Sequence, residues 1–312
     1  MTPKLVWVVG ASGLLGSALA RREDPDVLFR TGPVPWSCPS RAIDVLTDEL
    51  RRFAARVRTD DEWEIYWAAG AGVIGSNPAT FARESEIIAG FVERLGGRLP
   101  RGRGALFFAS SGAVYAGSHP APFSESTPPA PLSPYAIAKR EQELVISAAL
   151  AGRLPHVLGR ISTLYGPGQD LDKTQGLVSR TCLQAARCRP VSVYVPVDTL
   201  RDYLYVDDAA RMIGRFVERA RAERDLATRV RVVADGRPSS ILELAARVRA
   251  ISHRRIGMHH MPIATSAQHV HDLRMRTEHG AEVAGIPRTP APNGIHAVYS
   301  DIIRRLARGE FA

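Results

Sequence analysis

A tyrosine four residues ahead of a lysine, in Ser133-Pro-Tyr135-Ala-Ile-Ala-Lys139, is the pair in this chain best suited to moving a proton. Helical character continues through Ile146 and Leu150. At 3.6 residues per turn, Tyr135 and Lys139 therefore leave the same face of one helix. An ammonium beside a phenol favours the phenolate and draws a group of reference pKa about 10 toward working pH. Taken alone, such a pair is an ordinary solvated helix neighbour. Its weight comes from what precedes it. The apolar run Ala105-Leu-Phe-Phe-Ala109 ends in Ser110-Ser111-Gly112, which puts hydroxyls at a strand end 24 residues before Tyr135.

The elements that must position these groups begin at Leu5-Val-Trp-Val-Val9, a continuous apolar run of the kind that forms a buried parallel strand. Gly10-Ala-Ser-Gly13-Leu-Leu-Gly16 follows, then a helical stretch through Arg21. In this context Gly10 allows a tight turn, Gly13 lets backbone amides approach a pyrophosphate, and Gly16 permits close helix packing. The bland alternative is a plain strand-to-helix turn. The motif assigns Gly10, Ser12, Gly13, Leu14, Leu15 and Gly16 to a dinucleotide. Val27-Leu-Phe29 reads as the second strand, ending in Arg30-Thr31 where a carboxylate would read an NAD ribose. An arginine there suits a 2′-phosphate and favours NADP over NAD; Arg41 assists if the loop from Gly32 to Ser40 folds back over the ribose. Ala42-Ile-Asp44-Val45 reads as a third strand end, adding Asp44 and Val45 to the cofactor set, with a helix over 47–57. Trp63–Trp67 reads as a fourth strand running into Ala68-Ala69-Gly70-Ala-Gly72, small enough for Ala69 and Gly70 to lie against a flat ligand. A helix over 78–95 then leads to the strand that ends at Ser111.

The rest of the chain bounds the answer. With 312 residues and 45% hydrophobic content it can bury a large core. No run of eighteen apolar residues appears, so no membrane partner is expected. No signal-peptide pattern precedes the glycine motif, and Cys38, Cys182 and Cys188 form no C-x-x-C pair. A reducing cytoplasm without a metal or disulfide framework fits this usage. The formal charge of +9 is carried almost wholly by scattered arginines; Lys4, Lys139 and Lys173 are the only lysines. No aromatic-plus-basic motif points to nucleic acid. Histidines 259, 260, 269 and 271 lack a carboxylate or cysteine pattern, and surface or partner contacts are expected of them.

Beyond strand His156–Ile161 and Tyr165-Gly-Pro-Gly168 the alternation loosens. Residues 177–186 read as a helix, 191–195 as a strand, and Arg201-Asp-Tyr-Leu-Tyr-Val-Asp-Asp208 as a strand joined to a helix cap. Val230–Val233 reads as the last sheet strand, 239–251 as a helix and 295–306 as an amphipathic one. The pattern implies an α/β fold: a Rossmann-type doubly wound parallel sheet with a smaller, interleaved C-terminal α/β domain. Residues 1–165 form the dinucleotide-binding part, a later strand and helix near 207–236 return to it, and 166–312 form the substrate-binding part.

Gly10-Ala-Ser-Gly-Leu-Leu-Gly16, Ser110-Ser-Gly-Ala-Val-Tyr115, Ser133–Lys139, Tyr165-Gly-Pro-Gly168 and Arg201–Asp208 occur in that order. The chain thereby resembles the extended short-chain dehydrogenase/reductase family of nucleotide-sugar epimerases, dehydratases and ketoreductases. The resemblance implies that Ser111 bonds the substrate oxygen, Tyr135 is the general acid/base, and Lys139 binds the nicotinamide ribose and lowers the tyrosine pKa. It implies a homodimer through long helices. Family dehydratases carry an Asp-Glu pair after the hydroxyl residue, and the combined 3,5-epimerase/reductases a cysteine where Ala113 stands; Gly112-Ala113 fits neither. Arg201 matches an arginine that contacts a pyrophosphate, against a salt bridge to Asp202 or Asp207. Thr163 replaces a family asparagine, Gly176 another, and Glu86 a third, and no clear second phosphate-binding arginine precedes Asp272-Leu-Arg274. The substrate set is then Ser111, Gly112, Thr163 and Arg201. Expected is an NAD(P)H-dependent ketoreductase acting at C4 of a nucleotide-linked keto-sugar. The alternatives are a 4-epimerase with retained NAD, and, in another class, a catalytically silent NAD(P)-sensing protein.

Overall fold

The computed structural model describes residues 4–22, 27–70, 72, 76–172, 176–261 and 270–310. Leu5–Val9 forms β1, buried at every position. Because side chains alternate along a strand, Leu5, Trp7 and Val9 pack toward α2 (Pro39–Arg56), α3 (Pro78–Gly97) and α4 (Pro134–Leu150). Val6 and Val8 pack toward α1 (Leu14–Ala20) and α6 (Val206–Glu223). Strands β2 (Val27–Phe29), β3 (Glu62–Trp67), β4 (Arg103–Ser111), β5 (His156–Ile161) and β9 (Thr228–Val233) complete a six-stranded sheet in the order β2-β1-β3-β4-β5-β9. Every pairing in it is parallel. The chain runs from β1 out to β2 and then returns to place β3 on the other side of β1. Such a reversal opens a crevice at the carboxyl ends of β1 and β3.

The remaining elements form a second layer. β8 (Leu200–Tyr205) pairs with β6 (Thr163–Tyr165), β10 (Pro238–Ser240) and β12 (Asp272–Leu273), while β7 (Val191–Val193) pairs with β11 (Met258–His260). Helices α5 (Leu177–Ala186), α7 (Ile241–Ser252) and α8 (Ala291–Ala307) share a core that includes Cys182, Leu244, Val248, Ile295 and Ile302. A capping box starts α7: Ser240 accepts from the Glu243 N–H, and Glu243 accepts in return from the Ser240 N–H. Among the described residues no helix is long and apolar enough to cross a membrane.

One element differs from the sequence reading. Residues 42–45 belong to α2, which begins at Pro39, so the expected third strand does not exist and Trp63–Trp67 lies in the third strand rather than a fourth. Pro39 at the first helical position starts the helix. Ala42, Leu46, Leu50 and Phe53 then supply a buried stripe at helical spacing, which overrides the strand-like look of Ile43 and Val45. The short strands β6, β10, β11 and β12 were also not foreseen.

Candidate functional site

β4 ends in Ser111, whose hydroxyl oxygen accepts the Ala113 N–H at 3.2 Å and caps the turn that follows. Ser133 caps α4 by accepting the Ala136 N–H at 3.2 Å, and Pro134 holds its first position. Tyr135 is thus in the first turn of α4 and Lys139 one turn further on. The Tyr135 phenol is near enough to the Ser111 hydroxyl for that group to favour its ionised form, and its ring packs on Phe81 at 5.9 Å between centroids. The Lys139 ammonium donates to the Ala109 carbonyl at 3.3 Å and lies 4.9 Å from the centre of the Phe108 ring.

The neighbouring serine is committed elsewhere. Ser110 donates to Glu143 of α4 at 2.6 Å. Arg160 of β5 forks onto the same carboxylate at 3.0 and 2.8 Å and donates to the Tyr115 hydroxyl at 2.8 Å. Burial pushes the Glu143 carboxyl up, but Arg160, Ser110 and Arg140 more than offset this and hold it below the usual carboxylate range. Both serines border the larger cavity, but the Ser110 hydroxyl is engaged by Glu143.

Electrostatics depart from the expectation that Lys139 brings the phenol down. Burial raises the Tyr135 phenol above its ordinary value; the Ser111 hydrogen bond opposes the rise and the Glu84 carboxylate adds to it. Burial lowers the Lys139 ammonium, opposed by Glu84 and Glu143. Within this protein Tyr135 is therefore held in its protonated, phenol form.

Two cavities adjoin here, sharing Ala68, Ala69 and Gly70 in their walls. The first, of about 350 Å³, is lined by Gly10, Ser12, Gly13, Trp36, Trp67 and Ala69 among others. Gly10 has φ of +90°, and a Cβ on it would stand 2.6 Å from the Ala69 nitrogen, so only glycine closes the β1 turn against the β3 turn. A Cβ on Gly16 would collide with the Gly10 carbonyl. Gly13 caps α1 without a side chain, leaving the first-turn amides open to a ligand. The buried Trp67 indole N–H lacks a protein partner among the described residues. These features fit a dinucleotide, with Gly10, Ser12, Gly13, Ala69 and Gly70 as the residues that would hold it.

The second cavity, of about 910 Å³, contains Ser111, Tyr135 and Lys139 at one end. Thr163, Arg180, Thr199, Arg201 and Tyr203 also line it. Arg201 donates to the carbonyls of Leu200 and His271 at 2.8 and 3.4 Å, and not to Asp202 or Asp207. Asp202 instead accepts from the Asp235 and Gly236 amides at 2.8 and 2.7 Å, and Asp207 pairs with Arg21 at 3.3 Å. The buried Thr199 hydroxyl has no partner among the described residues. Of the residues lining this cavity none is Asp or Glu.

Several sequence assignments land elsewhere. Asp44 is exposed and Val45 half-buried on α2, and neither lines a cavity, because the strand end expected there is a helix turn. Arg30 is exposed beyond the first cavity's lining. Gly112 is buried under Met275, whose sulfur a Cβ there would strike, so Ala113 takes its place in the cavity wall. Leu15 lines the second cavity, not the first, while Leu14 and Gly16 pack behind. The loop at 32–40 does fold over the first cavity, contributing Trp36 and Ser37 rather than Arg41. Glu84 and Arg180 went unread. Arg180, on α5, lines the second cavity; Glu86 is exposed, while Glu84, two residues earlier, lines the first. His259 and His260 are exposed on β11, His271 pairs with Asp198 at 3.1 Å, and His269 lies outside the described residues.

Comparison with known proteins agrees with this fold. The family model described as NAD dependent epimerase/dehydratase family matches residues 6–233. A dTDP-glucose 4,6-dehydratase of Neisseria gonorrhoeae is 35% identical over 96 residues, 30% of this chain and 27% of that protein. The chain's matches span about a quarter to a third of the first such curated relatives. A UDP-glucuronic acid 4-epimerase from Bacillus cereus, solved with UDP-glucuronic acid and NAD, superimposes with a TM-score of 0.76 at 20% identity, over 96% of this chain and 99% of that one. A structure of RMD from Pseudomonas aeruginosa complexed with NADPH gives 0.76 at 22% identity, over 97% and 100%. At these identities the structural likeness speaks to the fold alone.

Proposed function

Since the chain belongs to the NAD dependent epimerase/dehydratase family, we propose that it is an NAD(P)H-dependent ketoreductase acting at C4 of a nucleotide-linked keto-sugar. The observation that carries this reading is the meeting of Ser111, Tyr135 and Lys139 where a glycine-lined cavity joins a larger one that contains Arg180 and Arg201. The bound dinucleotide supplies the hydride. Ser111 hydrogen-bonds the carbonyl oxygen of the substrate, Tyr135 donates the proton to that oxygen, and Lys139 holds the nicotinamide ribose. A phenol held above its ordinary value and an ammonium beside it form the donor side of this exchange.

Arg180 and Arg201 grip the diphosphate, a task suited to planar guanidinium forks. Tyr203 and the free hydroxyl of Thr199 stand ready for the sugar or nucleoside. The lack of a carboxylate around the larger cavity, among the described residues, speaks for simple redox over elimination of water. In this reading residues 1–165, with 207–236, hold the cofactor and the rest of 166–312 holds the substrate. The exposed Leu132, Ile137, Leu144 and Val145 on and beside α4 suit a homodimer through this helix.

The cofactor we favour is NADP, on the strength of Arg30. A second reading, 4-epimerisation with retained NAD, draws support from the width of the cavity, where Ala113 and Ala116 leave room for a keto-sugar to present its opposite face. Mass spectrometry of dinucleotide released from the purified protein tests the two. Release of tightly held NAD overturns the reductase in favour of the epimerase. A protein that emerges without dinucleotide and oxidises added NADPH in step with a keto-sugar supports it.

A further inference from the structure

Glu84 is an acidic side chain in a site whose other working groups are hydroxyls and an ammonium. It lies on α3, across the cavity junction from α4. Its Oε1 accepts the Gly72 N–H at 2.8 Å, which fixes the carboxylate at the carboxyl end of β3. Its other oxygen makes no direct ion pair with Lys139, among the described residues, but borders a space that the ammonium also reaches. The point where a Cβ on Gly70 would stand lies 3.9 Å from Glu84 Oε2 and 3.8 Å from Lys139 Nζ, so both groups border the same small space. Lys139 is 6% exposed, too little for water to hold its charge unaided.

Other charged groups stand around this pair. Glu143, on α4 itself, is shared by Arg160 of β5, Arg140 and Ser110. Arg83 on α3 faces the first cavity, and Arg180 and Arg201 stand in the second. From β4 the site receives the Ser111 hydroxyl, the Ala109 carbonyl and Ser110, whose hydroxyl is held by Glu143.

We propose that Glu84 is the counter-ion of Lys139, the residue that keeps the site loaded as lysine ammonium plus tyrosine phenol and so sets it to give a proton to a carbonyl. It is a positioning residue acting through Lys139 and Tyr135. The directions of titration agree, since Glu84 raises both groups. Removing its charge therefore lets both lose their protons at lower pH. The inference rests on Tyr135 and Lys139 as the proton-handling pair, but its main test needs no turnover.

The chain has only three lysines, Lys4, Lys139 and Lys173. With ¹³C-lysine labelling, three ε-carbon resonances report their titration by NMR, and Lys139→Arg identifies the middle one. Glu84→Gln keeps an acceptor for the Gly72 N–H and removes the charge alone. In that variant the Lys139 midpoint is expected to fall by about one pH unit, with Lys4 and Lys173 unmoved. The alkaline limb of carbonyl reduction shifts down with it while KM for the dinucleotide stays put. Glu84→Asp, which keeps the charge, and Glu86→Gln, on the exposed neighbour, should titrate as wild type. Should Glu84→Gln fold poorly, Glu84→Met offers a second uncharged side chain for the same reading. An unmoved Lys139 midpoint overturns the proposal. So does a weakened dinucleotide Kd with unmoved titration, which would make Glu84 a ribose ligand. If Tyr135→Phe turns over normally, it is the catalytic reading that fails, whatever the NMR shows.

Discussion

Glu143 and Arg160 form a forked ion pair, 3.0 and 2.8 Å, with the Glu143 carboxylate fully buried and Arg160 only 3% exposed. The pair ties α4, the helix that carries Tyr135 and Lys139, to β5 beneath it. Removing Arg160 leaves the buried carboxylate with only Arg140 and Ser110, and breaking such a buried pair costs up to about 3–5 kcal/mol. Arg160→Met should therefore lower stability by that order in urea unfolding. The double variant Glu143→Leu with Arg160→Met should recover most of it. An Arg160→Met protein as stable as wild type would mean that α4 is anchored by its apolar face alone.

Tyr135→Phe should remove nearly all turnover while leaving dinucleotide affinity largely intact, because the ring still packs on Phe81 and only the ionisable oxygen is gone. Lys139→Ala should harm both. Single-turnover kinetics alongside equilibrium dinucleotide titration separate the two effects.

Arg180 and Arg201 approach one cavity from different elements, α5 and β8. Hydrogen bonds to charged groups contribute about 1.5–3 kcal/mol each. Arg201→Ala or Arg180→Ala should thus raise KM for a nucleotide-linked substrate, and Ki for a free nucleoside diphosphate, by roughly ten- to a hundredfold. Values of kcat should change far less. Equal kinetics with and without the arginines would point to a substrate that lacks the diphosphate.

Burial lowers the Lys139 ammonium and raises the Tyr135 phenol, which moves the lysine's proton loss toward neutral pH and the tyrosine's away from it. Reduction should hold steady through neutral pH and decline on the alkaline side, below the ordinary lysine value. The sign follows from the group: an ammonium that burial disfavours is lost at lower pH than in water. A pH profile of kcat/KM reads it. A limb at or above the ordinary lysine value would mean that the loss is not that of Lys139.

Arg30→Ala should weaken NADPH by roughly ten- to a hundredfold if the guanidinium meets a 2′-phosphate, and leave NADH nearly unchanged. Since Trp36 borders the first cavity and is 38% exposed, its fluorescence should change on titration with either dinucleotide, with Trp36→Phe as control. Equal losses for the two cofactors would make Arg30 a surface charge.

The glycine turn, Ser111, Tyr135 and Lys139 were legible because local rules place them: a turn after a strand, a strand end, one helical turn. Glu84 and Arg180 were not, since nothing in their own stretches marks them. They gain meaning only when α3 and α5 are laid against the sheet ends. The misreading of 42–45 has a similar cause. Ile43 and Val45 suggest a strand, while the deciding stripe from Ala42 to Phe53 emerges only over three turns. Strands β6, β10, β11 and β12, two or three residues each, exist by virtue of their partners and carry no pattern of their own.

The position of β9 bears on how the chain can be made. β5 is buried at all six of its residues, yet its outer edge is covered only by Thr228–Val233. A nascent chain that has just emerged past β5 therefore presents a bare parallel edge, which stays unpaired until some seventy more residues have been synthesised. Exposed edges of this kind recruit other strands. Fragments that stop near residue 165 should aggregate despite containing the entire glycine turn and the Tyr135 helix, and chaperone demand during translation should drop once β9 is complete.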